Sequence, residues 1–83
     1  MFAKVKQHVF IDKLTLELFS SHKNGFKAIL KDECGFECRR MEAEGNHQRF
    51  LTWGGLNDLP YGVYILELQQ GDNEMQMKII KRV

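Results

Sequence analysis

Cys34, Cys38 and His47 are the residues of this sequence best suited to hold a metal ion. Structural zinc takes four soft ligands, and here a Cys-x3-Cys pair and one distant histidine supply three. The ordinary reading is a solvent-facing Cys34 and a buried Cys38 that packs as a small apolar side chain, so no metal is expected. Nucleophilic chemistry would need Ser20 or Ser21 beside His22, yet no Gly-x-Ser-x-Gly elbow surrounds them. Gly54 and Gly55 lack the rest of any phosphate-binding fingerprint and read as a strand terminator. Asp32 and Glu33 read as turn residues, and no two carboxylates stand out as an acid/base pair. Trp53, Tyr61 and Tyr64 could form a sugar-stacking platform, but strand aromatics in a small β domain usually fill the core, with Tyr61 in its turn partly exposed. No constellation meets the requirements of an active site. The chain reads as non-catalytic and without a cofactor.

The elements that carry these residues have a period of two. Leu14, Leu16 and Leu18 alternate with Thr15, Glu17 and Phe19, and Phe26, Ala28 and Leu30 alternate with Lys27, Ile29 and Lys31. Residues 20–25 read as a loop between them. Asp32-Glu33-Cys34-Gly35 reads as a type I turn, with aspartate first and glycine last. That turn sets Lys31 opposite Glu37 and Leu30 opposite Cys38, which argues against a Cys34 to Cys38 disulfide. Met41 to Glu44 reads as the end of a strand, because Gly45 and Asn46 follow at once. Residues 48–53 give a further strand, and residues 4–10 a first one.

The last segment, residues 56–81, begins with the turn Asn57-Asp58-Leu59-Pro60-Tyr61-Gly62 and reads as a β-hairpin. A two-residue turn at Asp72 and Asn73, both tolerant of positive φ, opposes Gly71 to Glu74. Glu67 then faces Lys78, Leu66 faces Ile79 and Ile65 faces Ile80. Leu66, Leu68, Met77 and Ile79 share the inner face. About seven short strands at this spacing predict an antiparallel, Ig-like β-sandwich over residues 1–83.

The opposite face of that hairpin carries Val63, Ile65 and Ile80, more apolar than a solvated sheet face. Two readings stand side by side. Either a neighbouring segment covers the patch, with residues 2–10 the candidate, or it docks a partner or a second copy of the chain.

At 83 residues the chain supports one domain, and folds of this size bury only about 60–65% of the unfolded surface. A deep catalytic cleft is hard to build on so thin a core. Net charge is +1, with no basic cluster fit to neutralise a phosphate backbone, which argues against nucleic acid. The longest apolar run, Val63-Tyr64-Ile65-Leu66, is far too short to span a membrane. The first twelve residues show no secretory leader. The expectation is therefore a cytoplasmic protein if Met1 is the native start, or a secreted or cell-surface location if the chain is the C-terminal piece of an exported one.

Over residues 11–83 the sequence resembles the C-terminal sorting domains of the bacterial type IX secretion system. Ile11-Asp12-Lys13-Leu14-Thr15-Leu16 is similar to the family's first strand. Ala28-Ile29-Leu30-Lys31-Asp32 followed by Gly35 is similar to its strand that ends in aspartate, a short turn and glycine. Leu56, Leu59-Pro60, Gly62-Val63-Tyr64 and Lys78-Ile79-Ile80-Lys81 match its best-marked end. The resemblance implies a folded, non-catalytic domain recognised by an outer-membrane export machine in a Bacteroidetes-type bacterium. It implies recognition through Gly62, Val63, Tyr64, Lys78, Ile79, Ile80 and Lys81, to which the apolar face adds Ile65. The alternative is a small stand-alone cytoplasmic interaction module, self-associating through Val63, Ile65 and Ile80.

Overall fold

Val5 and Phe10 are five residues apart, so a single straight strand would put them on opposite faces. The chain resolves this by bending. In the computed structural model, which describes residues 3–18, 25–43 and 50–82, the expected first strand is two short ones, β1 (Ala3–Val5) and β2 (Val9–Phe10), in different sheets. Both Val5 and Phe10 are thereby buried. The remaining strands are β3 (Leu14–Leu18), β4 (Phe26–Asp32), β5 (Glu37–Ala43), β6 (Phe50–Trp53), β7 (Gly62–Gln70) and β8 (Asn73–Lys81).

The fold is an all-β, two-sheet sandwich. One sheet has the order β1-β3-β6 and the other β2-β8-β7-β4-β5. Every pairing is antiparallel except that of β2 with β8, which is parallel. The core forms where the alternating inward side chains of the two sheets meet. Leu14, Leu16 and Trp53 come from the smaller sheet, and Leu30, Leu66, Leu68 and Ile79 from the larger. Leu56 and Leu59, on the connection into β7, fill the same core. The sequence reading expected a β-sandwich of about seven strands; the described residues form eight, because the first divides.

The β4 to β5 turn is built as expected at its tip. The Gly35 amide donates to the Asp32 carbonyl at 3.0 Å, and Asp32 Oδ1 accepts from the amides of Cys34 and Phe36, both at 2.9 Å. Gly35, at φ +91°, supplies the left-handed residue that follows a type I turn in a three-residue hairpin loop. Lys31 faces Glu37 as expected, but the ladder then shifts and Leu30 faces Arg39 rather than Cys38. Cys38 is the extra residue of a β-bulge. The bulge turns Glu37 and Arg40 to the same side of β5. There Arg40 donates to both carboxylate oxygens, Nε to Oε2 at 2.8 Å and Nη2 to Oε1 at 2.5 Å.

The terminal hairpin departs from its expected register by two residues. Its turn is Gly71-Asp72, with Gln70 opposite Asn73. Gly71 lies at φ +61°, and among the described residues no non-glycine has positive φ. A type II′ turn needs positive φ only at its first central position, where glycine adopts it without strain. A turn at Asp72 and Asn73 would put side chains into that region. A slip of two preserves the faces, so Leu66, Leu68, Met77 and Ile79 still point inward. It changes the partners: Leu66 faces Met77, Ile65 faces Lys78, Val63 faces Ile80, and Glu67 faces Gln76 instead of Lys78.

The connection into β7 is held by a side chain. Tyr64, itself buried, donates its hydroxyl to the Pro60 carbonyl at 2.7 Å. A tyrosine that reaches back four residues to the backbone is the tyrosine corner of Ig-type sandwiches.

Candidate functional site

Strand alternation divides the residues that the sequence points to. Tyr64, Ile79 and Lys81 face the core and are buried, and Gly62 lies opposite Lys81 on that side. Val63, Ile65, Lys78 and Ile80 face outward. The hairpin therefore turns four of these side chains to its outer face, Lys78 exposed and Val63, Ile65 and Ile80 half-buried, while the others build the domain.

On the outer face Val63 lies opposite Ile80 on one side, and Val9 of β2 lies opposite Ile80 on the other. The three form a row across three strands, with Ile65 in the next row. The N-terminal segment thus edges the patch and enlarges it with Val9, which is 40% exposed. Among the described residues no third layer covers this face.

Toward β4 and β5 the same face becomes ionic. Lys31 Nζ lies 2.9 Å from Glu67 Oε2, and Gln76 Nε2 donates to Glu67 Oε1 at 3.1 Å. Lys27 pairs with Glu42 at 3.7 Å. The hydrogen-bonded Arg40 guanidinium holds the Glu37 carboxyl below the ordinary glutamate range. Lys78, expected to pair with Glu67, has lost that partner to Lys31.

Lys81, one of the residues through which recognition is expected, does not reach the surface. It is 2% exposed, and its ammonium lies 6.0 Å from the Phe10 ring centroid and 5.5 Å from that of Tyr61. Its Nζ donates to the Arg82 carbonyl at 2.9 Å. Among the described residues, two aromatic faces and one carbonyl hold this cation.

The residues considered for chemistry are dispersed. Cys34 is exposed and Cys38 half-buried, both free thiols. His47, Ser20, Ser21 and His22 lie outside the described residues. Trp53 and Tyr64 are in the core and Tyr61 is exposed at 66%, over Lys81, so the three form no shared platform. A shallow cavity of about 290 Å³ lies between the β4 to β5 turn and Pro60, Tyr61 and Val63. Burial, with lesser contributions from Cys38 and Asp32, raises the Tyr64 phenol above its ordinary value. No helix among the described residues is long and apolar enough to cross a membrane.

Sequence reasoning missed Val9 as a member of the patch, because its place follows from a parallel pairing with Ile80, far along the chain. It also missed Phe36, 72% exposed at a hairpin tip. The alternation of Val63, Ile65 and Glu67 against Leu66 and Leu68 was the signal for the rest. Neither a protein-family model nor a curated protein matches this chain.

Proposed function

We propose that this domain is a non-catalytic recognition module of the type IX sorting kind, engaged by the outer-membrane export machine through the outer face of its terminal hairpin. The observation that carries this reading is the row of Val9, Ile80 and Val63 beside Ile65, an apolar stretch of the outer sheet face bordered by charge. Such a surface gains free energy when a protein partner removes it from water. Val63, Ile65 and Ile80 are half-buried in the free domain, so each adds only a fraction of the ~1.5–3 kcal/mol for burying a fully exposed side chain. The charged border contributes less, since exposed ion pairs add only about 0–1 kcal/mol each.

The test is a reporter with an N-terminal signal peptide and this domain at its C-terminus, expressed in a bacterium that has the machine. The expected outcome is surface delivery by the intact domain and loss of delivery by Ile80→Lys and Val63→Lys. Circular dichroism of both purified variants should show the parent fold. A reporter that stays in the periplasm with the intact domain overturns the export reading.

A further inference from the structure

The outer edge of β8 is only partly used. The amides of Ile80 and Arg82 donate to the carbonyls of His8 and Phe10 at 2.7 and 2.8 Å, and there β2 ends. Backbone groups of the same parity at Lys78, Gln76 and Glu74 point out of the sheet on that edge. Among the described residues the contact on this edge is with His8, whose Nδ1 lies 3.3 Å from the Lys78 carbonyl.

The side chains along this edge are symmetric about Gln76 in all but charge, which is opposite at the two ends. Glu74 and Lys78 flank Gln76 symmetrically on the outer face, and Met75 and Met77 flank it on the core face. Among the described residues neither Glu74 nor Lys78 has an ion-pair partner; Glu74 accepts only the Gln69 amide, at 3.3 Å. The β5 edge differs, because its Arg40 and Glu42 are already paired with Glu37 and Lys27.

We infer that residues 74–78 of β8 pair antiparallel with the same residues of a second copy of this chain, about a two-fold axis through Gln76. Antiparallel pairing about that residue sets Glu74 of each copy against Lys78 of the other, Gln76 against Gln76, and Met75 against Met77. Oppositely charged residues placed directly across strands are favourable, and an isologous contact forms each pair twice. About six backbone hydrogen bonds join the copies, two at each directly opposed outward pair. The five-stranded sheets then continue across the axis. A lysine alone on an edge strand deters pairing; the glutamate at the mirror position removes that deterrent for one partner, the same chain. His8 must release the Lys78 carbonyl. The contact is short against the roughly 1,200–2,000 Å² of stable interfaces, so association is weak and depends on concentration.

This inference stands apart from the export reading, since it uses the edge of the hairpin and not its apolar face. Sedimentation equilibrium of the purified chain up to millimolar concentration is the measurement. The expected result is a monomer–dimer equilibrium weakened about tenfold by Glu74→Lys or Lys78→Glu alone, where like charges oppose. It should be restored to near the parent value by the two together. His8→Ala should tighten it. Amide exchange at Gln76 should slow as concentration rises. Circular dichroism confirms that each variant is folded. A chain monomeric at millimolar concentration overturns the inference, as does a double variant no better than the singles. A dimer lost with Val63→Lys but indifferent to both charge reversals assigns association to the apolar face and overturns it too.

Discussion

Tyr64 joins three roles in one side chain: its ring fills the core beside Phe10 at a centroid distance of 6.2 Å, its hydroxyl ties down Pro60, and its burial raises its own pKa. Removal of the hydroxyl in Tyr64→Phe should cost about 1 kcal/mol. For a domain of this size that is a fall of about 4–8 °C in Tm, read by thermal melting. The pH dependence has a definite sign. The folded state holds the phenolic proton to higher pH than the unfolded chain, so this contribution is complete below the ordinary value of 10.0 and declines as pH rises through the folded value. Urea titrations from pH 9 to 12 should show the parent losing more stability than Tyr64→Phe. Glu37 works in the opposite direction: its carboxyl is lowered first by the Arg40 hydrogen bond, so its favourable contribution is lost as pH falls through the folded value. Carbon-13 NMR titration should place Glu37 below the ordinary 4.5, and Arg40→Ala should return it toward that value.

The two hairpins test what local chemistry decides. Gly71→Ala forces a side chain into φ +61° and should destabilise by about 1–2 kcal/mol. Asn73→Ala, beyond the turn, should change the urea midpoint little. The reverse ranking would restore a turn at Asp72 and Asn73. Which side chains face inward was legible in the sequence, because inward and outward sets follow from parity alone and Leu66, Leu68, Met77 and Ile79 declare it. Which residue faces which was not. A slip of two leaves every face unchanged, and the choice rests on a backbone angle at Gly71 that apolar pattern does not encode. The bulge at Cys38 was hidden for a related reason: regular alternation would place Glu37 and Arg40 on opposite faces, and the apolar pattern carries no sign of the extra residue that brings them together.

Across the whole molecule, the site was readable as a patch but not in its extent. Val63, Ile65 and Ile80 showed in the alternation, whereas Val9 joins them only through the order β2-β8-β7-β4-β5. Lys81 read as a surface cation because lysine is nearly always one; the Phe10 and Tyr61 rings that enclose it come from β2 and from the turn before β7. The core is thin enough that one large truncation should decide the fold. Leu66→Ala should cost about 2–5 kcal/mol against a total of about 4–12 kcal/mol for a chain this long, so it should unfold well below the parent's urea midpoint. The sheet order also bears on how the protein is made. Of the described strands β8 is the last to be synthesised, yet it lies inside its sheet, bonded to β7 on one side and β2 on the other. A ribosome that stops before residue 74 releases β7 with one edge bare and β2 with no neighbour in its sheet. The larger sheet therefore cannot close before β8 is available, and a copy cut short before it exposes an unpaired strand edge.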